Sequence, residues 1–359
     1  MIKTLTLTNF KCFENIFLPF SCLNVLTGLN SMGKSTVIQS LLLLKQSYEE
    51  ERGRRLCLNG RYIKLGWGRD VLYEKAETER IGISVKTPEA AYDLCYRYES
   101  DADFLTPFSA SNDERQLAEF SEKLFYLSAS RIIPQEQYAL TNRQALEERQ
   151  FGGSGEYSLH YLNVFGSAQV GNPHMRLGDC DQNSLLRQVS LWMSYISPGT
   201  NVHVDVDEMI KNSQLRYSFS DGNDRTNLYR CVNVGFGLTY VLPVIILLLT
   251  AKPGDTIVLE NPEAHIHPAG QSKLGELFAR ASADGIQVIV ETHSDHILNG
   301  IRLAAKKQIL PPQNIQIMFF HSDHEGRKVI FPKVDSHGHL SQWPDGFFDE
   351  WENMLMQLL

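Results

Sequence analysis

Three short stretches carry residues suited to handling a triphosphate. In "GLNSMGKST", Gly28, Gly33, Lys34 and Ser35 stand at the spacing GxxxxGK[ST], the spacing of a phosphate-binding loop. Glycines there let backbone N–H groups approach phosphate oxygens at a helix N-terminus. Asn30, Ser31, Gly33, Lys34, Ser35 and Thr36 are therefore the candidate cradle for ATP, with Lys34 neutralising the β and γ charges and the Ser35 hydroxyl able to ligate Mg2+. The second stretch, "TIVLENPEAHIHP", reads as a buried strand ending in the carboxylate of Glu260, a candidate Mg2+ ligand. The third, "GIQVIVETHSD", supplies another strand ending beside Thr292 and His293. Ligands of open α/β sheets sit at carboxyl ends of strands such as these.

The elements that must position these groups are legible from periodicity. "IKTLTLTNF" alternates as a half-buried strand, "CLNVLTG" reads as a fully buried one, and "VIQSLLLLKQSYEEE" carries a helical pattern directly after the loop. That strand, loop and helix order is the context the phosphate loop needs. The chain of 359 residues is 43% hydrophobic, enough to bury a large core without staples. Its net charge of −8 excludes a wholesale polyanion binder, so any nucleic-acid contact must come from a local patch or a partner. Six scattered cysteines, Cys12, Cys22, Cys57, Cys95, Cys180 and Cys231, with no CxxC pair and no secretory leader, fit a reducing cytoplasm. "CVNVGFGLTYVLPVIILLLTA" is free of charge and long enough to span a bilayer, but Asn233, two glycines and Pro243 make it read as a buried helix.

Taken in order, "NFKCF", "GLNSMGKST", "VGFG", "ENPEAHIHP" and "ETHSD" resemble the motifs of ABC-type ATPases of the RecF, SMC and OLD group. The resemblance implies an α/β fold: an ABC-type P-loop ATPase head with a mixed sheet, a helical insertion lobe and no long coiled coil. It implies that Gly235 and Gly237 belong to a signature segment that caps ATP held by a second subunit, giving a homodimer with ATP sandwiched between copies. It assigns Glu260 to Mg2+ and His293 to sensing the γ-phosphate. In the related pattern "DEPE" the second acid orients the attacking water, and here Asn261 takes that place. An amide cannot accept a proton, although it can position a water. Glu263 either replaces the base, or orients its loop or pairs with His265 or His267. Slow hydrolysis is therefore expected.

"LNGRYIKLGWGRDVLY" and the tail "GHLSQWPDGFFDEWENMLMQLL" resemble a stand-alone ATPase group, often named AAA-like, that ends in a WPxGFFDE-type segment and is associated with bacterial anti-phage systems. Trp343, Phe347, Phe348 and Trp351 either dock that tail or cover a partner surface. Boundaries follow from the motifs: a P-loop lobe over 1–140, an insertion lobe over 141–230, a lobe with the signature, Glu260 and His293 over 231–335, and an aromatic tail over 336–359. No run sustains heptads as a coiled-coil arm would, and too little chain follows His293 for a nuclease domain. "SASNDERQLAEFSEKLFYLSASRIIPQEQY" reads as a polar helix leading into a strand and a loop, in which Arg131 faces either the nucleotide or an ordinary ion pair.

Eight of the eleven histidines, His265, His267, His293, His296, His321, His324, His337 and His339, crowd the last third. With no cysteine beyond Cys231, zinc is a poor fit to that inventory. The basic groups "RGRR" and "IRLAAKKQ" read as solvated surface. Two function classes remain: an ATP-gated dimeric switch controlling a separate effector, a nuclease or toxin, and a RecF-like repair ATPase that clamps duplex DNA. The acidic balance favours the switch.

Overall fold

The computed structural model describes residues 1–108, 120–178, 183–207, 209, 211–221, 224–323 and 326–358, with the side chains of 221, 225 and 350–353 left aside. Cys180, His324, the opening of the polar helix expected from residue 109, and the Trp351 side chain lie outside this set.

In chain order the elements that matter are strands β1 (Thr4–Phe10), β2 (Phe13–Pro19) and β3 (Leu23–Gly28), then helix α1 (Lys34–Glu51). Strands β4 (Arg80–Lys86), β5 (Ala91–Arg97) and β6 (Leu124–Leu127) follow, then α2 (Leu185–Ile196), β7 (Thr200–Asp207) and β8 (Asn212–Asp221). The remainder is α3 (Phe236–Thr250), β9 (Thr256–Glu260), α4 (Pro268–Ala283), β10 (Gln287–Glu291), α5 (Asp295–Lys306), β11 (Ile315–Asp323), β12 (Gly326–Ile330) and α6 (Glu350–Leu358).

A six-stranded mixed sheet, ordered β12-β11-β3-β10-β9-β6, runs through the middle. All its pairs are parallel except β11 with β12. Its strands read as nearly continuous apolar runs because both faces are covered. Alternation divides them between two cores. Leu26, Val258, Ile289 and Met318 face α1 and, beyond it, the antiparallel sheet β2-β1-β4-β5 through Leu5, Leu7, Ile81 and Ile83. Val25, Leu259, Val288, Val290 and Ile317 face the other way, toward α2, α3, α4 and α5.

Helix α1 supplies Val37, Ile38 and Leu41 through Leu44 to the first core, all at most 1% exposed. Each such burial is worth about 1.5–3 kcal/mol. The uncharged stretch after Cys231 forms α3, with every residue from Gly237 to Leu249 buried and Pro243 inside the helix. Among the described residues no helix is long and apolar enough to cross a membrane. The longest described helix is α1, with 18 residues, so no long coiled coil leaves the body.

Residues of the stretch 141–230 bury into the second core rather than into one of their own: Leu159, Trp192, Val202 and Tyr217 share a cluster with Val241, Leu242, Ile257 and Leu277. In the tail, Phe347 is fully buried edge-on against Phe319, with Trp343 and Phe348 packed on it. Met354, Met356 and Leu358 of α6 remain exposed.

Candidate functional site

Because β3, β10 and β9 run parallel, their carboxyl ends share one edge of the sheet. There Gly28 lies in register with Phe320, Leu26 with Glu291, and Glu291 with Glu260. The loop from Gly28 into α1 is shaped by glycine. Gly28 has φ +132° and a Cβ there would sit 2.1 Å from the Phe320 carbonyl oxygen. Gly33 has φ +107°, and its Cβ would strike the Phe13 ring and the Cys12 Sγ of the "NFKCF" segment. Both positions lie in the left-handed region that favours glycine.

Lys34 is buried, and its ammonium donates to the carbonyls of Gly28 (2.9 Å) and Leu29 (2.8 Å). Burial lowers its pKa, and Glu291 opposes that shift. A cleft of about 430 Å3 opens over the loop, with Asn30, Ser31, Gly33, Lys34, Ser35 and Thr36 all in its wall.

Two further residues of that wall were not singled out from the sequence. Glu291, only 7% exposed, accepts hydrogen bonds from the Ser35 hydroxyl at 3.2 and 3.3 Å. Burial, then the neighbouring Glu260 carboxylate, pushes Glu291 up to about 7 against the pull of Lys34. Arg327, from β12, donates to the carbonyls of Ser31 (3.2 Å) and Cys12 (3.4 Å). The acid ending "QVIVE" matches the one ending "TIVLE", a parallel that could have flagged Glu291; nothing local marks Arg327.

Glu260 is tied on its other side. Its Oε2 accepts the Ala129 N–H at 3.1 Å, and the Tyr126 hydroxyl lies beside the same carboxylate. The chain then turns sharply: Asn261 has φ +43°, and its N–H bonds the Glu291 carbonyl at 2.8 Å. Arg131 grips this turn. It donates to the carbonyls of Ser128 (2.8 Å), Glu260 (2.8 Å) and Asn261 (2.6 Å) while stacking 4.0 Å over the Tyr240 ring. Carbonyls and an aromatic face, rather than an ion pair, account for its described contacts.

Glu263 Oε1 accepts the His293 N–H at 2.8 Å, and burial raises its pKa. Its described bonds do not include His265 or His267. His265, at φ +63°, packs tilted on Phe236 and edge-on against Tyr240, and His267 caps α4 through its Nδ1. The His293 ring is exposed. Desolvation, then the Lys34 ammonium, holds its imidazole below the ordinary pKa. Of the five buried side-chain polar atoms without a partner among the described residues, three belong here: Arg131 Nε, Asn261 Oδ1 and Glu263 Oε2.

Gly235 and Gly237 begin α3 away from the cleft wall. A Cβ on Gly237 would sit 2.1 Å from the His265 carbonyl oxygen, so glycine lets α3 meet the "PEAHIHP" loop, whereas the space around Gly235 is open. A larger cavity, about 780 Å3, is lined by Lys45, Arg52, Arg61, Glu49 and Glu122 and includes no P-loop residue in its wall.

A family model described as "AAA domain, putative AbiEii toxin, Type IV TA system" matches residues 23–299, which takes in the phosphate loop, the turn after Glu260 and His293. The chain belongs to this AAA-domain family. A second model, a protein family of unknown function, matches residues 310–358 and so takes in the WPxGFFDE-type tail. No curated protein matches the sequence. Among solved structures, an Smc head bound to the C-terminal winged-helix domain of ScpA is 14% identical, with TM-score 0.57, over 93% of this chain and 98% of that one. An Smc head with an extended coiled coil, bound to the C-terminal domain of ScpA from Pyrococcus furiosus, is 13% identical, with TM-score 0.55, over 99% of both chains. The fold is similar to that of an SMC head, with no long coiled coil among the described residues, in a chain of the AAA-domain family.

Proposed function

We propose that this chain is an ATP-binding, slowly hydrolysing switch that dimerises around ATP and controls a separate effector, a nuclease or toxin, in bacterial anti-phage defence. One observation carries the dimer: the phosphate cleft is walled by Asn30, Ser31 and Gly33 through Thr36 without Gly235 or Gly237, while the open start of α3 at Gly235 has nothing within 4 Å of where a Cβ would stand. A second copy, placing its α3 N-terminus over the first copy's cleft, would complete two sites at once. Binding and association are then thermodynamically linked. The ScpA domains bound by the similar Smc heads support a partner protein as the recipient of the signal, and the family description, a putative toxin of a type IV TA system, supports a setting in such systems.

Within each site Lys34 and the loop N–H groups bind the β- and γ-phosphates, and His293 stands at the γ end. Oxygen donors, the Ser35 hydroxyl and the carboxylates at the strand ends, suit Mg2+. When bound, Mg2+ supplies charge neutralisation on the phosphoryl oxygens. Asn261 positions a water without taking its proton, and Glu263, two residues on and with a buried Oε2 that has no described partner, is the carboxylate to take it. Turnover is slow because the residue at the water is an amide.

Sedimentation velocity with and without a slowly hydrolysed ATP analogue tests the switch. The analogue should convert monomer to dimer, and an unchanged distribution contradicts a nucleotide-gated step. Duplex DNA binding by the chain alone that collapses steeply with salt would instead identify a DNA clamp.

A further inference from the structure

Two carboxylates end adjacent strands beside the phosphate loop, and they are held differently. Glu260, which the sequence pattern assigns to the metal, accepts the Ala129 N–H with the Tyr126 hydroxyl close by, and it is absent from the described wall of the cleft. Glu291 is in that wall, and both its oxygens lie 3.2–3.3 Å from the Ser35 hydroxyl. The reason lies in strand order. Because β10 sits between β3 and β9, its last residue is one strand nearer to the loop than Glu260.

We infer that Glu291, together with Ser35, is the carboxylate that ligates the divalent cation of the bound nucleotide, with Glu260 beside it in a supporting position. This rests on the ATP-binding reading above. Octahedral Mg2+ binds oxygens at about 2.1 Å, so two neighbouring ligands stand about 3.0 Å apart. The Ser35 and Glu291 oxygens already stand close to that spacing. A P-loop hydroxyl and one acidic side chain are the protein ligands that P-loop ATPases offer the metal, and here the acid in contact with the hydroxyl comes from the strand before His293. Neither Lys34 nor Arg327 competes for Glu291 through a direct ion pair: Lys34 donates to loop carbonyls, and so does Arg327.

The test is Mn2+ binding, read from the free-Mn2+ electron paramagnetic resonance signal in the presence of a slowly hydrolysed ATP analogue. The full-length parent is compared with Glu291→Gln and Glu260→Gln, and metal-free analogue affinity is measured alongside by equilibrium dialysis. Glu291→Gln preserves side-chain shape and removes a buried charge, so its thermal melt should not fall below the parent's. The expected result is Mn2+ affinity about tenfold or more weaker in Glu291→Gln, with metal-free nucleotide affinity retained. Loss in both variants also supports a Glu291 ligand. Mn2+ affinity within about twofold of the parent in Glu291→Gln, or equal loss of metal-free nucleotide binding, overturns it. A parent that binds no nucleotide even without metal refutes the ATP reading itself, an outcome dialysis separates from the others.

Discussion

The two halves of the site differ in how completely their polar groups are satisfied. On the phosphate half, Lys34 has two carbonyl partners and Ser35 has the Glu291 carboxylate, so the cradle is held in shape by its own contacts. On the turn after Glu260, Arg131 Nε, Asn261 Oδ1 and Glu263 Oε2 are buried without partners, although the backbone around them is firmly bonded. Buried polar groups are ordinarily bonded, so these three atoms are open to a ligand or a water. The contrast supports the proposed division of labour, in which the first half binds the nucleotide and the second controls its turnover.

Substitutions in the two halves should therefore separate affinity from rate. Lys34→Ala should have the largest effect, removing ATP binding altogether in equilibrium dialysis; binding as tight as the parent's would undo the cradle. Arg131→Ala should cost about 3 kcal/mol in chemical denaturation, since three bonds from a buried cation are lost with its seat on Tyr240. ATP affinity should survive at subdenaturing conditions; its complete loss would show that the halves are not separable. Gly237→Ala should cost about 1–3 kcal/mol, because the added carbon meets the His265 carbonyl, and it should weaken nucleotide-driven dimerisation in sedimentation. Glu263→Gln should leave the melting temperature and ATP affinity nearly unchanged and lower only the residual rate of phosphate release. A loss of affinity instead would make Glu263 a loop-orienting residue through His293.

The phosphate loop was legible in sequence because its geometry is local: Gly28 and Gly33 occupy backbone conformations that favour glycine, and the helix follows at once. The buried character of α3 was legible from its uncharged run. Glu291 and Arg131 were harder for one physical reason. Their roles depend on which strands become neighbours, and parallel pairing joins residues far apart in the chain, as with Arg131 and the Glu260 carbonyl. One alternative for Glu263, pairing with the side chain of His265 or His267, is not what the fold forms, for a related reason. The turn at Asn261 aims Glu263 at the His293 backbone, while His265 swings to the aromatic rings at the start of α3. How residues 141–230 pack was likewise not legible locally: Gly155 lies against Pro243 of α3, and apolar side chains of the segment join the main core.

Whether the chain holds ATP or consumes it turns on Asn261, and steady-state phosphate release answers that most directly. General-base assistance is typically worth about 10²- to 10⁴-fold. The parent should turn over slowly, Glu263→Gln more slowly still, and Asn261→Glu faster by a factor approaching that range. Fast release by the parent that survives Glu263→Gln and is not raised by Asn261→Glu would contradict the account.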